Sequence, residues 1–472
     1  MDPRNLLSRR TFLRSAAVSA GAVALAACQP KIVEVEKIVK ETVEVEKEVE
    51  KVVKETVVVE KNVEKVVDTV ILRWHARLGN VWKVYPERVK VFEEEHPGVK
   101  VNLEEFPAGS AEFGPKIAAM VAAGAAGDLC WTAIGSGSFQ FLAQNKALAS
   151  LEDVIASDPL FNPDDFYPRV INGFRMGPNG MGSGDLMGLP ELAHGTYQCL
   201  FFNKDLLESM GLEAPTMEWT REDLLDTAIK ATKDGIFGFL PTTGGYSEIR
   251  YTCLAYGGEL ISPDGTTSLI DTDEVKVATR WLHDAFFGLH IAPLPQEVTG
   301  GRNQMFLSQR LALFQSGHWD ISAMKDLVKD EFAWDMVLMP IGPAGVRGGH
   351  LHADAESVLA QSKNKQLAYE LGRTLTDHEG SVGITIQIGS SCRPATYEDE
   401  RVRTAQPYWA LIAQSIEEAA EHLGPANLRK QESQTLIKTL FDPLWVGDRQ
   451  PDDAFFSEVS AEWQDFLDKP AG

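Results

Sequence analysis

The first part of the globular region alternates between strand-like and helix-like stretches, and this order constrains the fold more than any other feature. Residues 70–75 and 128–134 are apolar runs typical of buried strands, and residues 99–103 alternate as a half-buried strand does. Residues 85–96 have helical spacing and end at a Pro-Gly pair, and residues 116–123 form a second helical stretch. The order predicts an α/β fold on an open, mostly parallel sheet.

The length of this region predicts two domains. About 400 residues follow residue 68, which is more than a single hydrophobic core usually holds. Ligands bind open α/β sheets at the carboxyl ends of the strands. Trp74, His75 and Trp131 fall near the predicted ends, so we expect these side chains close to a ligand.

Residues 1–27 have the pattern of an export signal. Arg9 and Arg10 precede an uncharged run at 15–27, which is too short for a permanent transmembrane helix. The paired arginines favour the twin-arginine route, which exports proteins already folded. The run ends in Leu-Ala-Ala-Cys, which resembles a lipoprotein processing box, although a chance apolar terminus with a stray cysteine is the alternative. We therefore expect a mature protein that begins at Cys28 and is lipid-anchored to the outer face of the bacterial cell membrane, or periplasmic.

A repeat separates this signal from the globular region. Residues 31–68 are nearly all Val, Glu and Lys and repeat with a period of 14, within a predicted stalk at 28–68. Apolar residues and threonines at alternating spacings of three and four are typical of a coiled coil. Val and Thr are mediocre helix formers, however, and the Val-Glu alternation also indicates strand. We predict a spacer, and self-association through the stalk stays an alternative.

Charge and cysteine content exclude several functions. The net charge is −23, and removal of residues 1–27, with four arginines and one aspartate, takes it to −26. So acidic a chain is a poor ligand for nucleic acid or anionic lipid surfaces. Cys130, Cys199, Cys253 and Cys392 show no Cys-x-x-Cys spacing, so a zinc site is not expected. We expect four small buried residues with at most one disulfide.

A series of short motifs resembles the family 1 extracellular solute-binding proteins, which are sugar receptors of ATP-driven importers and distant relatives of maltose-binding protein. The resemblance spans roughly residues 69–470, with one departure at Gly127, where the family usually has proline. The landmarks, in the family's order, are residues 92–101 (FEEEHPGVKV), 116–128, 188–190 (GLP), 201–206 (FFNKDL), 256–258 (YGG), 317–319 (GHW), 339–343 (MPIGP) and 362–365 (SKNK).

The resemblance implies two α/β lobes around a ligand cleft, a type II binding-protein fold of mostly parallel sheets flanked by helices. It places the three crossings between lobes near Gly195, Met336 and Thr376. The first lobe would then hold residues 69–195 and 337–376, and the second residues 196–336 and 377–472. It also implies a carbohydrate ligand, closure about a hinge, transmembrane permease subunits as partners, and no cofactor.

Candidate binding residues follow from the chemistry of a sugar, which has apolar C–H faces and hydroxyls in fixed directions. Trp74 and Trp131 are aromatic candidates at strand ends, and Trp319 matches a position where the family often has a stacking aromatic. Each is also a plausible core residue. The polar candidates, for which a structural or surface role is the alternative, are His75, Glu191, His194, Tyr246, Asp354, Glu356 and Arg393.

Three other functions are weighed. An enzyme is disfavoured because the adjacent carboxylates Glu104–Glu105 would point to opposite faces of a strand, and no Gly-x-Ser-x-Gly or His-Glu-x-x-His motif occurs. A metal receptor could use His350 and His352 with His75 or His194, but no His-rich loop is present. A receptor for a polyol or a glycerol phosphate is the stronger alternative, although the chain shows no arginine cluster for a phosphate.

Overall fold

A computed structural model describes residues 69–470, apart from residues 80, 108, 179, 422, 423 and 428 and the side chains of residues 110, 111 and 431. These residues belong to one compact unit, residues 66–472. The export signal with Arg9 and Arg10, the lipid attachment at Cys28 and the stalk lie outside the described residues, so these predictions stand untested.

Two main sheets organise the described part of the chain. The first has the strand order β2-β1-β3-β12-β7, the second has the order β11-β8-β10-β9, and β5-β4-β6 form a small third sheet. The strands are β1 (Val70–Arg77), β2 (Val99–Phe106), β3 (Leu129–Ala133), β4 (Arg175–Gly177), β5 (Gly180–Met181), β6 (Asp185–Leu186), β7 (Leu189–Gly195), β8 (Cys199–Asn203), β9 (Phe237–Leu240), β10 (Leu311–Ser316), β11 (Trp334–Leu338) and β12 (Leu351–Val358).

Both main sheets are mixed, so the prediction of mostly parallel sheets is wrong. In the first sheet, β1 runs parallel to β2 and β3, whereas β12 is antiparallel to β3 and β7. In the second, β8 is antiparallel to β10 and β11, and β9 is parallel to β10. The antiparallel direction of β12 follows from the connections. The chain leaves the first sheet at the carboxyl end of β7 and re-enters it beside that end as β12, so the two strands run in opposite directions.

Helices flank both sheets, which confirms the α/β class predicted from the alternating pattern. They are α1 (Tyr85–Glu95), α2 (Ser110–Ala122), α3 (Ser138–Gln144), α4 (Glu152–Ala156), α5 (Pro168–Gly173), α6 (Lys204–Ser209), α7 (Arg221–Ala231), α8 (Tyr246–Ala255), α9 (Asp273–Phe286), α10 (Arg302–Leu307), α11 (Asp320–Val328), α12 (Lys365–Leu375), α13 (His378–Ile388), α14 (Glu400–Ala405), α15 (Trp409–Glu418), α16 (Lys430–Trp445) and α17 (Asp453–Leu467).

Each main sheet carries an apolar cluster on both faces. Phe113 and Phe139 belong to one cluster of the first sheet, and Tyr85 and Phe92 to the other. The two clusters of the second sheet are built around Phe202 and Phe314, among others. A fifth cluster joins α8, α9 and the C-terminal helices α16 and α17. Burial on both faces explains why β3 and β8 contain no exposed position.

The strand pairing refines the predicted limits of the lobes. The first predicted crossing, near Gly195, lies at the end of β7. Met336 pairs with Phe201 inside the second sheet, so the chain returns to the first sheet only between Leu338 and Leu351. At the third predicted crossing, near Thr376, the chain stays on the first sheet, because buried residues of α13 pack into that sheet's clusters. The remaining lobe limits stay predictions.

The two connections between the sheets lie side by side. The backbone N–H of Thr196 donates to the carbonyl of His350 at 2.9 Å, and that of Met339 donates to the carbonyl of Gln198 at 2.7 Å. The Arg347 side chain donates to the Met339 carbonyl at 2.9 Å. Hinges between lobes are formed by a few residues in loops or at the ends of elements, and these connecting segments are of that kind.

The four cysteines of the globular region are buried and free. Cys130 lies in β3, Cys199 in β8 and Cys253 in α8, whereas Cys392 follows α13. Burial raises the pKa of each of these thiols above its usual value. The prediction of small buried residues is confirmed.

We expect Phe314→Ala to lower the free energy of unfolding by about 3–5 kcal/mol. Phe314 is fully buried and stacks on Phe201 of the neighbouring strand, with ring centroids 4.9 Å apart, so truncation leaves a cavity at the centre of the second sheet. Urea denaturation measures the loss. The control is Leu160→Ala, at a position that is 69% exposed, where a change within about 0.5 kcal/mol is expected. Equal effects of the two variants would contradict the packing described here.

Candidate functional site

A cavity of about 990 Å³ lies between the two main sheets. From the side of the first sheet it is lined by Arg77, Leu78, Gly79, Trp82, Glu112, Trp131, Gly135, Ser136, Leu192, His194, His352 and Asp354. From the side of the second sheet and the C-terminal helices it is lined by Thr196, Tyr197, Thr243, Gly244, Gly245, Ser247, Glu248, His318, Trp319, Gln434, Thr435 and Lys438.

Trp319 is the aromatic side chain most available to a ligand in this cavity. It follows β10 at the start of α11 and is 37% exposed, whereas most tryptophans of the described region are buried or half-buried. Tyr197 meets it edge to face, with centroids 5.4 Å apart. The arrangement depends on Gly317, since a Cβ there would lie 2.2 Å from the Trp319 ring. An exposed indole held from behind offers a flat apolar face to a ligand.

Three histidines from different segments meet beside Trp319. The ring of His194, at the end of β7, lies 4.1 Å from that of His318 and 5.0 Å from that of His352, measured between centroids. His318 belongs to the second sheet's side, so the cluster joins both sides of the cavity. Gly135 permits the approach of His352, because a Cβ at that position would lie 1.7 Å from His352 Nδ1.

The inner histidines of this cluster are neutral at physiological pH. Burial, together with the neighbouring His352, lowers the pKa of His194 to about 3, against the opposing hydrogen bond to the Gly195 carbonyl. Burial also lowers the pKa of His318 well below its usual value, as do His194 and His352. Neutral His194 donates from Nδ1 to the Gly195 carbonyl at 3.0 Å, which leaves Nε2 as an acceptor.

Asp354 supplies the negative charge at the cavity floor. Burial opposes its ionisation, but the hydrogen bond and the electrostatic attraction of His352, with smaller contributions from Trp131 and His194, outweigh burial and lower its pKa. The bond between His352 Nε2 and Asp354 Oδ1 is 2.9 Å long. The carboxylate is therefore held in one orientation beside the cavity, as a fixed acceptor for a ligand hydroxyl.

Two further carboxyl groups, Glu191 and Glu356, lie behind the cavity and are fully buried. Burial, together with the charge of Asp354, raises the pKa of Glu191 to about 8, against hydrogen bonds from Tyr85 and Trp82. Burial, and then the neighbouring carboxyl groups of Glu191 and Asp354, raise the pKa of Glu356 well above its usual value. Asp354 is thus the ionised member of three neighbouring acids at neutral pH, because ionising another would place like charges together in a buried site.

Glu191 anchors the aromatic wall on the side of the first sheet. Its Oε1 accepts a hydrogen bond from the Tyr85 hydroxyl at 2.5 Å and another from the indole N–H of Trp82. Trp82 lines the cavity, whereas Glu191 does not. Glu191 is therefore a positioning residue, which acts on a ligand through the orientation of Trp82.

The second sheet contributes a glycine-rich loop and a hydrogen-bonded pair. Thr243, Gly244 and Gly245 line the cavity just before α8. Gly244 has a φ of +142°, which favours glycine over residues with a side chain. Next to this loop, the Tyr197 hydroxyl donates to Glu248 Oε1 at 2.6 Å. The side chain of Glu248 is thereby oriented at the edge of the cavity.

Four of the ten residues predicted from the sequence line this cavity: Trp131, His194, Trp319 and Asp354. Trp131 and Asp354 lie on the paired strands β3 and β12. His194 on β7 is directly opposite His352 on β12. The structure therefore brings residues more than 200 positions apart in the chain into one site.

The other six predicted residues do not line the cavity. β1 continues to Arg77, two residues beyond His75, so Trp74 and His75 are inside the strand and fully buried. Trp74 Nε1 donates to Glu356 at 2.9 Å, and His75 Nε2 accepts from the backbone of Gly127 at 2.7 Å. These two, together with Glu191 and Glu356, support the first sheet from within.

Tyr246 and Arg393 serve packing elsewhere. Tyr246 follows the glycine-rich loop, but its side chain turns into the C-terminal helices, where the Lys430 ammonium lies 4.3 Å from its ring centroid. The Arg393 guanidinium covers Phe166 at 4.0 Å from the ring centroid and donates to the Thr376 carbonyl at 3.1 Å. Neither side chain reaches the cavity.

Sequence reasoning missed much of the polar lining. His318 belongs to the Gly-His-Trp motif, and His352 to the His350 and His352 pair that suggested a metal receptor, so residue type alone could have added both to the sugar site. Arg77 and Trp82 reach the cavity because β1 ends at Arg77, and the apolar pattern of the sequence does not show where this strand ends. Lys438 and its neighbours on α16 come from a helix more than 180 residues after the glycine-rich loop it faces, and no local signal indicates that proximity.

Two classes of site are not found. Among residues 69–470, with the omissions given above, no group of three or more His, Cys, Asp or Glu residues is arranged to hold a metal ion. None of the helices listed above is long and apolar enough to cross a membrane.

The fold and the inter-sheet cavity define a two-lobed solute-binding protein. Solved structures share the fold. An ABC substrate-binding protein from Listeria monocytogenes in complex with cycloalternan has a TM-score of 0.74 at 20% identity and covers 85% of this chain and 99% of its own. The GacH receptor of Streptomyces glaucescens, solved unliganded and with acarbose, has a TM-score of 0.72 at 20% identity, with coverages of 85% and 99%.

A third similar structure is UgpB from Mycobacterium tuberculosis in complex with glycerophosphocholine, with a TM-score of 0.72 at 13% identity. It covers 85% of this chain and 98% of its own. The model of the bacterial extracellular solute-binding protein family matches residues 80–381. The chain belongs to this family, which confirms the resemblance seen in its motifs and indicates a location outside the cytoplasm.

We expect the buried acid Glu191 to make stability depend on pH. The folded protein keeps the Glu191 proton up to a pKa of about 8, whereas an unfolded glutamate loses it near its ordinary value of 4.5. Between these values the folded state binds more protons, so this contribution is lost as the pH rises, by at most about 1.4 kcal/mol per pH unit.

Glu191→Gln keeps the acceptor for Trp82 and Tyr85 but cannot ionise. The free energy of unfolding of the wild type should therefore fall relative to that of the variant between pH 5 and pH 8, measured by urea denaturation at each pH. Glu95→Gln, at an exposed helical position, serves as the control and should track the wild type. A pH-independent difference between wild type and Glu191→Gln would refute the neutral buried carboxyl.

Proposed function

We propose that the protein captures a carbohydrate outside the cytoplasm and delivers it to the permease subunits of an ABC importer. One observation carries this proposal: an exposed indole, Trp319, stands beside neutral histidines and the fixed carboxylate of Asp354. Sugars present both apolar C–H faces and hydroxyls, and this array offers a partner for each. Two of the similar structures contain carbohydrate-like ligands by name, cycloalternan and acarbose.

Binding, rather than catalysis, is the proposed chemistry. The cavity receives residues from both sheets, and the two connections lie side by side, so a ligand that contacts both walls would favour the closed arrangement. A ligand can drive such closure only by its higher affinity for the closed state. His194 and His318, which meet across the cavity, would be brought to a ligand by the same motion.

A receptor for a polyol or a phosphorylated glycerol is the second candidate. Arg77 and Lys438 both line the cavity and could face a phosphate. Glu112, Glu248 and Asp354 line it as well, and they make the cavity less suited to an anion. UgpB binds glycerophosphocholine, so the fold accommodates a ligand of this type in another protein.

The position of the protein at the membrane is part of the same proposal. The twin-arginine signal would direct export, and after its removal the Cys28 lipid and the Val/Glu/Lys stalk would hold the binding domain at a distance from the outer face of the membrane, near the permease. In this view the stalk acts as a spacer, with or without self-association.

We expect Trp319→Ala to weaken ligand binding by about tenfold or more, since an aromatic face at a binding site contributes on the order of 1 kcal/mol or more. A thermal-shift screen with mono-, di- and oligosaccharides, polyols, glycerol phosphates and divalent metals identifies the ligand first, because a ligand specific for the native state raises the midpoint. Titration of both proteins then measures the loss.

Leu327→Ala is the matched control, at an exposed apolar position on the same helix that does not line the cavity. It should bind as the wild type does. A shift with a phosphate ester or a metal, and with no saccharide, would overturn the carbohydrate assignment.

Cys28→Ala should abolish lipid attachment, because the acyl chains need the thiol at this position. In the native host, the wild type is expected in the membrane fraction with an acylated N-terminal peptide by mass spectrometry. The variant should lose that modification, and a Cys130→Ala control should retain it. Acylation of the Cys28→Ala protein would contradict the predicted anchor.

A further inference from the structure

A second depression adjoins the cavity on the side of the C-terminal helices. It has a volume of about 610 Å³ and is lined mainly by the last turns of α16 and the residues that follow it. We call it the α16 groove. Its lining includes Pro295, Thr439, Asp442, Trp445, Val446 and Asp448.

The α16 groove is continuous with the cavity. Thr243, Gly244 and Lys438 line both, so they form a shared rim rather than a wall between two separate sites. Glycine at position 244 has no side chain to obstruct the rim, and even a Cβ there would meet no other atom within 4 Å. Space above the rim is therefore open between the two depressions.

The chemistry of the groove resembles that of the cavity. Val446 is 56% exposed and, with Pro295 and Pro443, gives the groove an apolar surface. Trp445 is 95% buried beneath it, and its indole N–H has no hydrogen-bond partner among the described residues. Asp442, which pairs with Lys438, and Asp448 provide acceptors. An apolar surface with carboxylates beside it suits the C–H faces and hydroxyls of a sugar.

The combined size also points to a long ligand. The volume of the cavity alone is at the upper end of the range of about 300–1,000 Å³ that is usual for sites of drug-sized ligands. A single sugar ring is smaller than a drug-sized ligand. A monosaccharide at Trp319 would leave the far side of the cavity and the whole α16 groove unfilled. A chain of sugar rings that crosses the rim at Gly244 would contact both.

We propose that the ligand is an oligosaccharide whose first units lie against Trp319 and whose distal units occupy the α16 groove. This inference rests on the proposed carbohydrate function and adds a subsite and a length requirement to it. The groove selects for length because only a ligand that crosses the shared rim gains its contacts.

The test measures affinity against chain length with the purified full-length protein. Calorimetric titrations use homologous series from monosaccharide to heptasaccharide, with α-1,4-linked glucose, β-1,4-linked glucose and β-1,4-linked xylose as probes. In the series that binds, the affinity should rise with each added unit until the groove is filled. The double variant Val446→Ser/Asp448→Ala should then weaken binding of the longest saccharide by about three- to tenfold, the usual scale of one or two lost polar or apolar contacts.

The same double variant should bind the shortest effective saccharide as the wild type does. Leu160→Ser/Asp153→Ala is the matched control, with an exposed leucine and an exposed aspartate that line neither depression, and it should leave all affinities unchanged. Both variant positions are exposed, so folding should be preserved, and thermal unfolding checks this.

The outcomes separate the two proposals. A monosaccharide that binds as tightly as every longer member of its series, or a double variant that weakens short and long saccharides equally, would overturn the groove as a subsite and leave the carbohydrate function in place. If no saccharide binds and a polyol, a phosphate ester or a metal does, the carbohydrate function fails, and the length requirement fails with it.

Discussion

The insertion of β12 into the first sheet is the constraint on which the site depends. This strand returns from the second sheet and hydrogen-bonds to β3 on one side and β7 on the other, antiparallel to both. It thereby places His352, Asp354 and Glu356 among residues that come from more than 150 positions earlier in the chain. Without that strand, Trp131 and His194 would lie on two separate edges, and the cavity would have no acidic floor.

The electrostatics of the floor follow from this crowding. Three carboxyl groups and three histidines come together in a buried region, and a low dielectric penalises each additional charge. The result is that Asp354 keeps its charge, Glu191 and Glu356 hold their protons, and His194 and His318 stay neutral. Although the chain as a whole carries a charge of −23, the floor of the cavity therefore keeps a single ionised carboxylate, Asp354, beside the neutral His194 and His318, which suits an uncharged, hydroxyl-rich ligand.

The two sheets contribute different properties to the proposed ligand site. The first sheet supplies the buried acids and the anchored Trp82, which a rigid network of hydrogen bonds holds in place. The second sheet supplies Trp319, the glycine-rich loop at 243–245 and the path over Gly244 to the α16 groove. A ligand held between them would contact both walls, and in the proposed function closure about the paired connections would bring these walls together.

By itself, the sequence determined the class of fold, the family and the residue types suited to a sugar site. Periodicity and short motifs are local properties, so the alternating strands and helices and elements such as Phe-Phe-Asn-Lys-Asp-Leu could be recognised without coordinates. Trp131 and Trp319 could be predicted in the same way, because each lies in a recognised strand or motif, whereas His194 and Asp354 were candidates by residue type. Only the tertiary structure decided which side chains reach the cavity. That outcome depends on where β1 ends, on the direction of β12 and on the docking of α16. These features are set by backbone pairing and packing between distant parts of the chain. For this reason Trp74 and Glu191 support the first sheet from within, whereas His352 and Lys438 line the cavity.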